Sequence, residues 1–145
     1  IDIDFGKLKF VDISCEDISN DCLDVSGAQI NGTFLSGDRI NDKGLSFGEN
    51  SNGEILNIDF QNTKLGIAVK DGSKLNLSKY RLKNNEYDLA VFNKKNEYNG
   101  SLLNIKEPLE KNDLKFVIGF NNFIVKDNID IKDKIDNTKI NALFY

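Results

Sequence analysis

The chain has 145 residues, of which 39% are hydrophobic and 29% are charged, so it is long enough for one domain with a real core. Its formal net charge is -4 and its Lys residues are scattered among Asp and Glu, which excludes the basic stripe of a phosphate-binding protein, and we expect no nucleic-acid partner. No apolar run approaches the roughly 18 residues of a membrane-spanning helix, and we expect no membrane insertion.

The absent residue types narrow the chemistry further. Without His the chain lacks the commonest general base and the commonest metal ligand, so we expect no metal site, no cofactor and no catalytic triad. Without Met the chain does not begin at a start codon, and we expect Ile1 to mark a boundary within a larger protein. Cys15 and Cys22 are either two buried thiols, which we favour, or a disulfide formed in an oxidising compartment.

The first predicted element is the segment IDIDFGKLKFVDIS. Apolar residues alternate with polar ones at Ile1, Ile3 and Phe5, and again at Leu8 and Phe10. A period of two is typical of a strand with one buried face, so this segment predicts an early strand of the fold.

A repeat of about 22 residues follows and covers about residues 20–95. Each unit carries a short apolar–small–apolar alternation, written CLDVSG, GLSFGE, GIAVKD and DLAVFN. Its two apolar positions form two columns at this interval: Leu23, Leu45, Ile67 and Leu89; and Val25, Phe47, Val69 and Val91. Turn-forming Gly, Asn, Asp and Ser separate the alternations. The Asn residues that precede the units are Asn20, Asn41, Asn62 and Asn84.

A unit this short, with strands and no helical period, predicts a parallel β-solenoid whose turns stack at about 4.8 Å. We therefore predict a single all-β domain over residues 1–145, a right-handed parallel β-helix of about six coils, as part of a larger protein. Leu45 should lie over Ile67, with both buried. Residues 94–112 are predicted to be an insertion, with an inserted loop around residues 94–100. Residues 113–145 are predicted to be the last coil and a cap over the open end.

Over about residues 20–95 the chain resembles the right-handed parallel β-helix repeat proteins of bacteria. The segments that carry the resemblance are DCLDVSG, DKGLSFGENS, KLGIAVKDGSKL and DLAVFNKK. The resemblance is to the repeat domains of secreted or surface proteins, so it implies an extracellular or cell-surface location. The wider group holds pectate lyases, pectin hydrolases, phage tailspikes and non-enzymatic adhesive or scaffolding domains. The resemblance therefore implies a fold and leaves the activity open.

A pair of acidic residues is the candidate catalytic or calcium-binding site. Glu49 and Asp71 align one coil apart at a strand end, which suits a carboxylate dyad for carbohydrate hydrolysis or oxygen ligands for calcium. An ordinary polar turn explains the same residues, and we favour it. Lyase chemistry needs a basic residue near a bound uronate, and Arg81 is a candidate. However, no cluster of Asp residues that could bind calcium stands near Arg81. We predict no catalytic residue.

A strip of small residues is the candidate for binding. Asp24, Ser46, Ala68 and Ala90 should face outward beside a second column that contains Lys70. Two interpretations of such a strip are open: a sugar chain binds to it, or the chain's own terminal segment or a neighbouring domain covers it. In the first case Tyr residues could add stacking surface. The candidate binding residues are Asp24, Ser46, Glu49, Lys70, Asp71 and Tyr98.

The predicted function is a non-catalytic β-helix module for binding or assembly at the bacterial cell surface. Its expected partner is a polysaccharide or another protein domain of the same chain. Two alternatives stay open: a polysaccharide lyase or hydrolase, and a structural subunit of a filament or surface assembly. A binder should leave its ligand intact, an enzyme should shorten it, and a structural subunit should form filaments.

Overall fold

A computed structural model describes residues 1–108, 114–127 and 129–145 of the chain. Within them the chain forms strands and, near its end, one short helix. Their bounds are β1 (Asp2–Asp4), β2 (Lys7–Ile18), β3 (Leu23–Ser26), β4 (Gln29–Gly48), β5 (Asn52–Lys70), β6 (Lys74–Lys83), β7 (Tyr87–Phe92), β8 (Leu102–Pro108), β9 (Phe116–Gly119), β10 (Phe123–Lys126), β11 (Ile129–Ile131), β12 (Lys134–Ile135) and α1 (Asn137–Phe144).

The strands wind into a parallel β-solenoid with about 22 residues in each coil, which confirms the predicted fold class. There are about five turns rather than the six expected. Parallel pairing joins successive turns, from β2 to β4, β5, β6, β8 and β10. The predicted aliphatic column is in register, since Leu45 pairs with Ile67 and Ile67 with Leu89. The right-handed sense of winding stays a prediction.

Each turn has three sides, because the pairing between turns is interrupted at three points. Side A holds residues 2–4, 23–26, 45–48, 67–70, 87–92 and 116–119. Side B holds residues 7–10, 29–32, 52–55, 74–77, 102–105 and 123–126. Side C holds residues 12–18, 34–40, 57–63 and 79–83.

Left-handed residues turn the chain at two of the three corners. The corner between sides A and B uses Phe5, Gly27, Glu49 and Asp71, with φ from 50° to 63°. The corner near the end of side C uses Asp17, Arg39, Asn62 and Asn84, with φ from 53° to 56°. Asn and Asp tolerate this conformation better than most residues. Two of the four predicted turn residues, Asn62 and Asn84, occupy this corner, while Asn20 and Asn41 lie beyond it.

Inward side chains fill the solenoid with one continuous apolar core. Leu45, Phe47, Ile67 and Val69 are all 0% exposed, as predicted. The glycine shared by two of the units, Gly44 and Gly66, belongs to this packing. A Cβ at Gly44 would lie 2.6 Å from ring atoms of Phe60, so only glycine lets that ring approach the backbone.

A buried serine column stabilises the corner between sides A and B. The Ser51 hydroxyl accepts a hydrogen bond from the Ala28 backbone N–H at 3.1 Å, and the Ser73 hydroxyl accepts one from the Ser51 backbone N–H at 3.1 Å. Both serines are fully buried. Since buried N–H groups need partners, each serine completes the hydrogen bonding of the turn before it.

A disulfide joins Cys15 in the first turn to Cys22 at the start of the second. The favoured interpretation of two buried thiols is therefore wrong, and the alternative that we left open is the observed one. Cys22 is 1% exposed and belongs to the core, while Cys15 is partly buried against it. The bond ties the first turn to the core of the second.

The C-terminal part differs from the expectation in two ways. β8 lies inside the predicted insertion 94–112 and continues side B, so the inserted loop comprises residues 93–101, and residues 109–113 lie outside the described residues. The terminal segment forms α1, which packs on side A instead of covering the open end. Among the described residues, no helix is long and apolar enough to cross a membrane.

Candidate functional site

α1 covers Ala68 and Ala90, the last two members of the predicted small-residue strip. Its two buried residues, Ile140 and Phe144, form an apolar cluster on the outer face of side A. The other fully buried members of that cluster are Leu65, Ala68, Ala90 and Phe92. Small side chains at the strip allow the helix to approach the sheet closely. Of the two interpretations of the strip, the structure shows coverage by the chain's own terminal segment.

Polar contacts fasten this segment at both ends. The side-chain oxygen of Asn137 accepts a hydrogen bond from the Asn93 backbone N–H at 2.8 Å, and the Asn141 side chain donates to the Asn93 carbonyl at 3.2 Å. Lys70, one of the candidate binding residues, is 9% exposed and donates to the Tyr145 hydroxyl at 3.0 Å. Lys70 therefore holds the C-terminal segment in place.

Ser46 and Asp24 continue the strip one and two turns before Ala68. They pair directly across adjacent rungs, and Ser46 is 0% exposed. Among the described residues, neither the Ser46 hydroxyl nor the Asp24 Oδ1 has a hydrogen-bond partner, although both atoms are buried. An exposed docking strip would keep such atoms in water, so these two atoms are not presented to solvent.

A buried ion cluster lies beside them. Lys43 is 2% exposed, and its Nζ lies 2.8 Å from Asp42 Oδ2 and 3.4 Å from Asp21 Oδ1. Burial lowers the pKa of Lys43, but its hydrogen bond to Asp42 and the charge of Asp21 outweigh this, so the pKa lies above its ordinary value. Burial raises the pKa of Asp21, although Lys43 opposes the rise.

The Tyr145 ring closes this cluster from outside. The Nζ atoms of Lys94, Lys43 and Lys70 lie 3.6, 4.8 and 5.5 Å from the ring centroid, within cation–π range. Desolvation and the charges of Lys70 and Lys43 lower the pKa of Lys94. The lysines and the ring together fix the last residues of the described chain against side A.

Glu49 and Asp71, the predicted acid pair, align at the corner between sides A and B and hold the 93–101 loop. Asp71 is 1% exposed, and its Oδ1 accepts hydrogen bonds from the backbone N–H groups of Lys94 at 2.7 Å and Lys95 at 2.8 Å. Glu49 Oε1 lies 2.6 Å from Lys95 Nζ. Burial raises the pKa of Asp71, although the two backbone hydrogen bonds oppose it. Both carboxylates thus make contacts within the fold.

Tyr98 lies in the same loop and is half-buried. Its carbonyl accepts a hydrogen bond from the Asn93 side chain at 2.7 Å, which closes the loop on itself. The six candidate binding residues therefore fall into two groups, one on side A, where Lys70 contacts the C-terminal segment, and one at the base of the loop. In the described part of the chain, no group of three or more Cys, Asp or Glu residues is arranged to hold a metal ion.

Side B carries a groove that the sequence interpretation missed. Its volume is about 380 Å³. Two outward columns line it, with Gln29, Asn52, Lys74 and Leu102 in one, and Asn31, Glu54 and Asn76 in the other. The second column continues to Asn104, whose side chain donates to Asn76 Oδ1 at 3.2 Å. Amides at about the repeat interval were the available signal, but the abundance of Asn in this chain obscured it.

The solenoid and its surfaces define a class of protein, a parallel β-solenoid with one side covered by its own helix and one side lined by amides. Comparisons with protein-family models, with curated proteins and with solved structures find no match for this chain. The functional argument therefore starts from the geometry of side B.

Proposed function

We propose that the chain is a non-catalytic module that binds a neutral polysaccharide along side B. The observation that carries this proposal is the amide-lined groove of about 380 Å³. Each Asn or Gln side chain offers both donors and an acceptor, which suits the hydroxyl groups of a sugar. Successive rungs repeat these groups about every 4.8 Å, so a chain laid along the solenoid meets them again at every turn.

The charge of the groove favours a neutral ligand over a uronate. Glu54 and Lys74 contribute one charge of each sign, and Glu54 lies 4.0 Å from Lys106 on β8, the second strand along side B from its own. A polyanion would gain little from a surface whose charges cancel. Leu102 adds apolar surface at one end, which suits the C–H face of a pyranose ring.

The contacts that Glu49 and Asp71 make within the fold favour a binding module over a glycosidase. A glycosidase needs two carboxyl groups free to face one glycosidic bond. Glu49 is held by Lys95, and Asp71 is buried under two backbone N–H groups. The disulfide between Cys15 and Cys22 supports an extracellular or cell-surface location, since disulfides persist in oxidising compartments.

The test is a glycan array of neutral polysaccharides, run with the wild-type chain and with the double variant Asn52→Ala and Asn76→Ala. We expect the wild type to bind and the double variant to lose roughly tenfold or more in affinity, because two rungs lose their hydrogen-bonding groups. The matched control is Asn57→Ala, an outward amide on side C, which should bind like the wild type.

Each result decides between the proposed functions. Hits that are incubated with the protein and keep their length support a binder, whereas shortened chains would show an enzyme. Binding that survives the double variant would place the ligand elsewhere on the solenoid. The absence of binding to every neutral glycan would reject the polysaccharide proposal.

A further inference from the structure

The loop between β7 and β8 replaces an ordinary corner of the solenoid. The same corner has three residues in the turn before it and in the turn after it, at residues 71–73 and 120–122, whereas this loop has nine, residues 93–101. An insertion into one turn of a repeat protein places extra side chains on one face of the molecule, and such insertions often carry a binding site. A site can be built here without disturbing the stacked turns.

Contacts at both ends hold this loop in place. Near its start, Asp71 accepts hydrogen bonds from two backbone N–H groups of the loop at 2.7 and 2.8 Å. At its end, the Ser101 backbone N–H donates to Asn122 Oδ1 at 2.7 Å. A Cβ at Gly100 would lie 1.6 Å from the Asn121 carbonyl oxygen, so only glycine lets the loop lie this close to the next corner. A loop that is fixed in advance costs less entropy when a ligand binds.

A pocket of about 370 Å³ lies between this loop and the corner at residues 120–122. The following rung bounds it as well, because β12 pairs with β9 and leads into Asn137, which also lines the pocket. The Asn137 side chain donates to the Phe120 carbonyl at 3.2 Å and accepts from the Asn93 backbone N–H at 2.8 Å. The volume falls within the range of roughly 300–1,000 Å³ that is common for small-molecule sites.

Amide side chains and two aromatic residues line the pocket. Among the described residues of this lining, none is charged. Tyr98 is half-buried and Phe120 is 52% exposed, so the fold leaves part of each free to contact a ligand. The side chains of Asn96, Asn99 and Asn121 are exposed and make no hydrogen bond within the described chain. The lining therefore offers unused donors and acceptors next to aromatic surface.

Asn93, which also lines the pocket, carries a buried acceptor without a partner. Asn93 is 8% exposed, and its side-chain nitrogen donates to the Tyr98 and Asn99 carbonyls at 2.7 and 3.0 Å, which fixes the orientation of the amide. Its Oδ1 has no hydrogen-bond partner within the described residues. Because buried polar atoms normally have a partner, a ligand hydroxyl group that donates to this oxygen would complete the hydrogen bonding of Asn93.

We propose that this pocket binds a single neutral pyranose unit. Its amides can donate to and accept from sugar hydroxyl groups, and the faces of its aromatic rings suit the C–H face of a pyranose. In the described lining a metal ion would find no carboxylate and an anion would find no lysine or arginine, so a neutral ligand is favoured. The pocket shares no described residue with the groove on side B, so this second site stands independently of the proposed polysaccharide binding.

The experiment follows the amide NMR signals of the 145-residue chain during titration with the methyl pyranosides of glucose, galactose, mannose and N-acetylglucosamine. We expect at least one of them to bind with a dissociation constant on the order of 1 mM, as a ligand of few atoms does. The shifts should cluster at residues 93–101 and 120–122. Two pocket variants, Phe120→Ala and the combination of Asn96→Ala with Asn99→Ala, should each weaken binding roughly tenfold. The NMR spectrum of each variant also shows whether it keeps the fold.

Two control variants separate this pocket from the groove and from exposed aromatic residues in general. The groove variant, Asn52→Ala with Asn76→Ala, should bind the pyranosides like the wild type, and so should Phe5→Ala, which removes an exposed ring at the same corner of the first turn. A titration in which none of the four pyranosides binds would overturn the proposal, whatever the glycan array shows for side B. Shifts confined to side B, or binding that both pocket variants leave intact, would overturn it and leave the proposed groove unaffected.

Discussion

At the scale of single residues, Asp71 couples the stability of the fold to pH. Its pKa is raised in the folded state, chiefly by burial, so between the unfolded pKa and the raised pKa the folded state binds more protons. The free energy of unfolding that Asp71 contributes therefore falls as pH rises through this window. Asp71→Asn keeps an acceptor for the Lys94 and Lys95 N–H groups and removes the buried charge, so it should stabilise the fold at neutral pH.

The check is urea unfolding of both proteins from about pH 4 to about pH 8. We expect the advantage of Asp71→Asn to shrink as the pH is lowered, because the wild-type carboxyl becomes protonated in the fold. An advantage that is constant across the range would mean that burial does not shift Asp71. A wild type that loses stability relative to the variant on acidification would mean that its pKa is lowered.

The sequence could indicate which residues are unusual, but not what covers them. Lys43 stands one repeat before Leu65 and two before Tyr87. A lysine in a column with a leucine and a tyrosine is unusual, and the sequence alone shows this. Asp24 and Ser46 were placed correctly on the outward face of side A. Tyr145 lies over Lys43, and α1 covers Ala68 and Ala90. These partners are distant in the sequence, and no local pattern encodes the contacts.

At the scale of elements, the Cys15–Cys22 disulfide should stabilise the first turn specifically. It closes a loop of only a few residues, for which the chain-entropy argument gives roughly 2–3 kcal/mol. We expect Cys15→Ser with Cys22→Ser to lose about this much and to fray β1 and β2 first. Amide hydrogen exchange should accelerate in β1 and β2 and stay slow in β5.

Reductant provides the control for this prediction. Added to the wild type it should reproduce the exchange pattern of the double variant, and added to the double variant it should change nothing. An equal loss of protection in all strands would show that the bond stabilises the whole solenoid rather than its first turn.

Strands were predictable where the 22-residue interval held, and elements were missed where it broke. The 93–101 loop lengthens one turn, so Lys74 pairs with Leu102 at an interval of 28, and β8 fell inside a predicted insertion. α1 is eight residues long, and a helix that short depends on tertiary packing rather than on its own propensity. Its apolar residues therefore predicted a cap without specifying a helix.

At the scale of the whole molecule, a solenoid buries a residue only as well as its neighbouring turns allow. Ile67 lies between Leu45 and Leu89 and is 0% exposed. Ile13 is only partly buried, and within the described residues it has a neighbour, Leu35, on one side. Ile67→Ala should therefore cost about 2–5 kcal/mol, and Ile13→Ala about 1 kcal/mol. Urea unfolding of the two variants at low protein concentration measures both values.

The comparison of the two variants tests how burial depends on neighbouring turns. Equal costs for Ile67→Ala and Ile13→Ala would contradict the single-sided burial of Ile13 within the described residues. A larger cost at Ile67 is expected because its side chain loses contacts with the turns on both sides, whereas Ile13 loses contacts with the turn of Leu35.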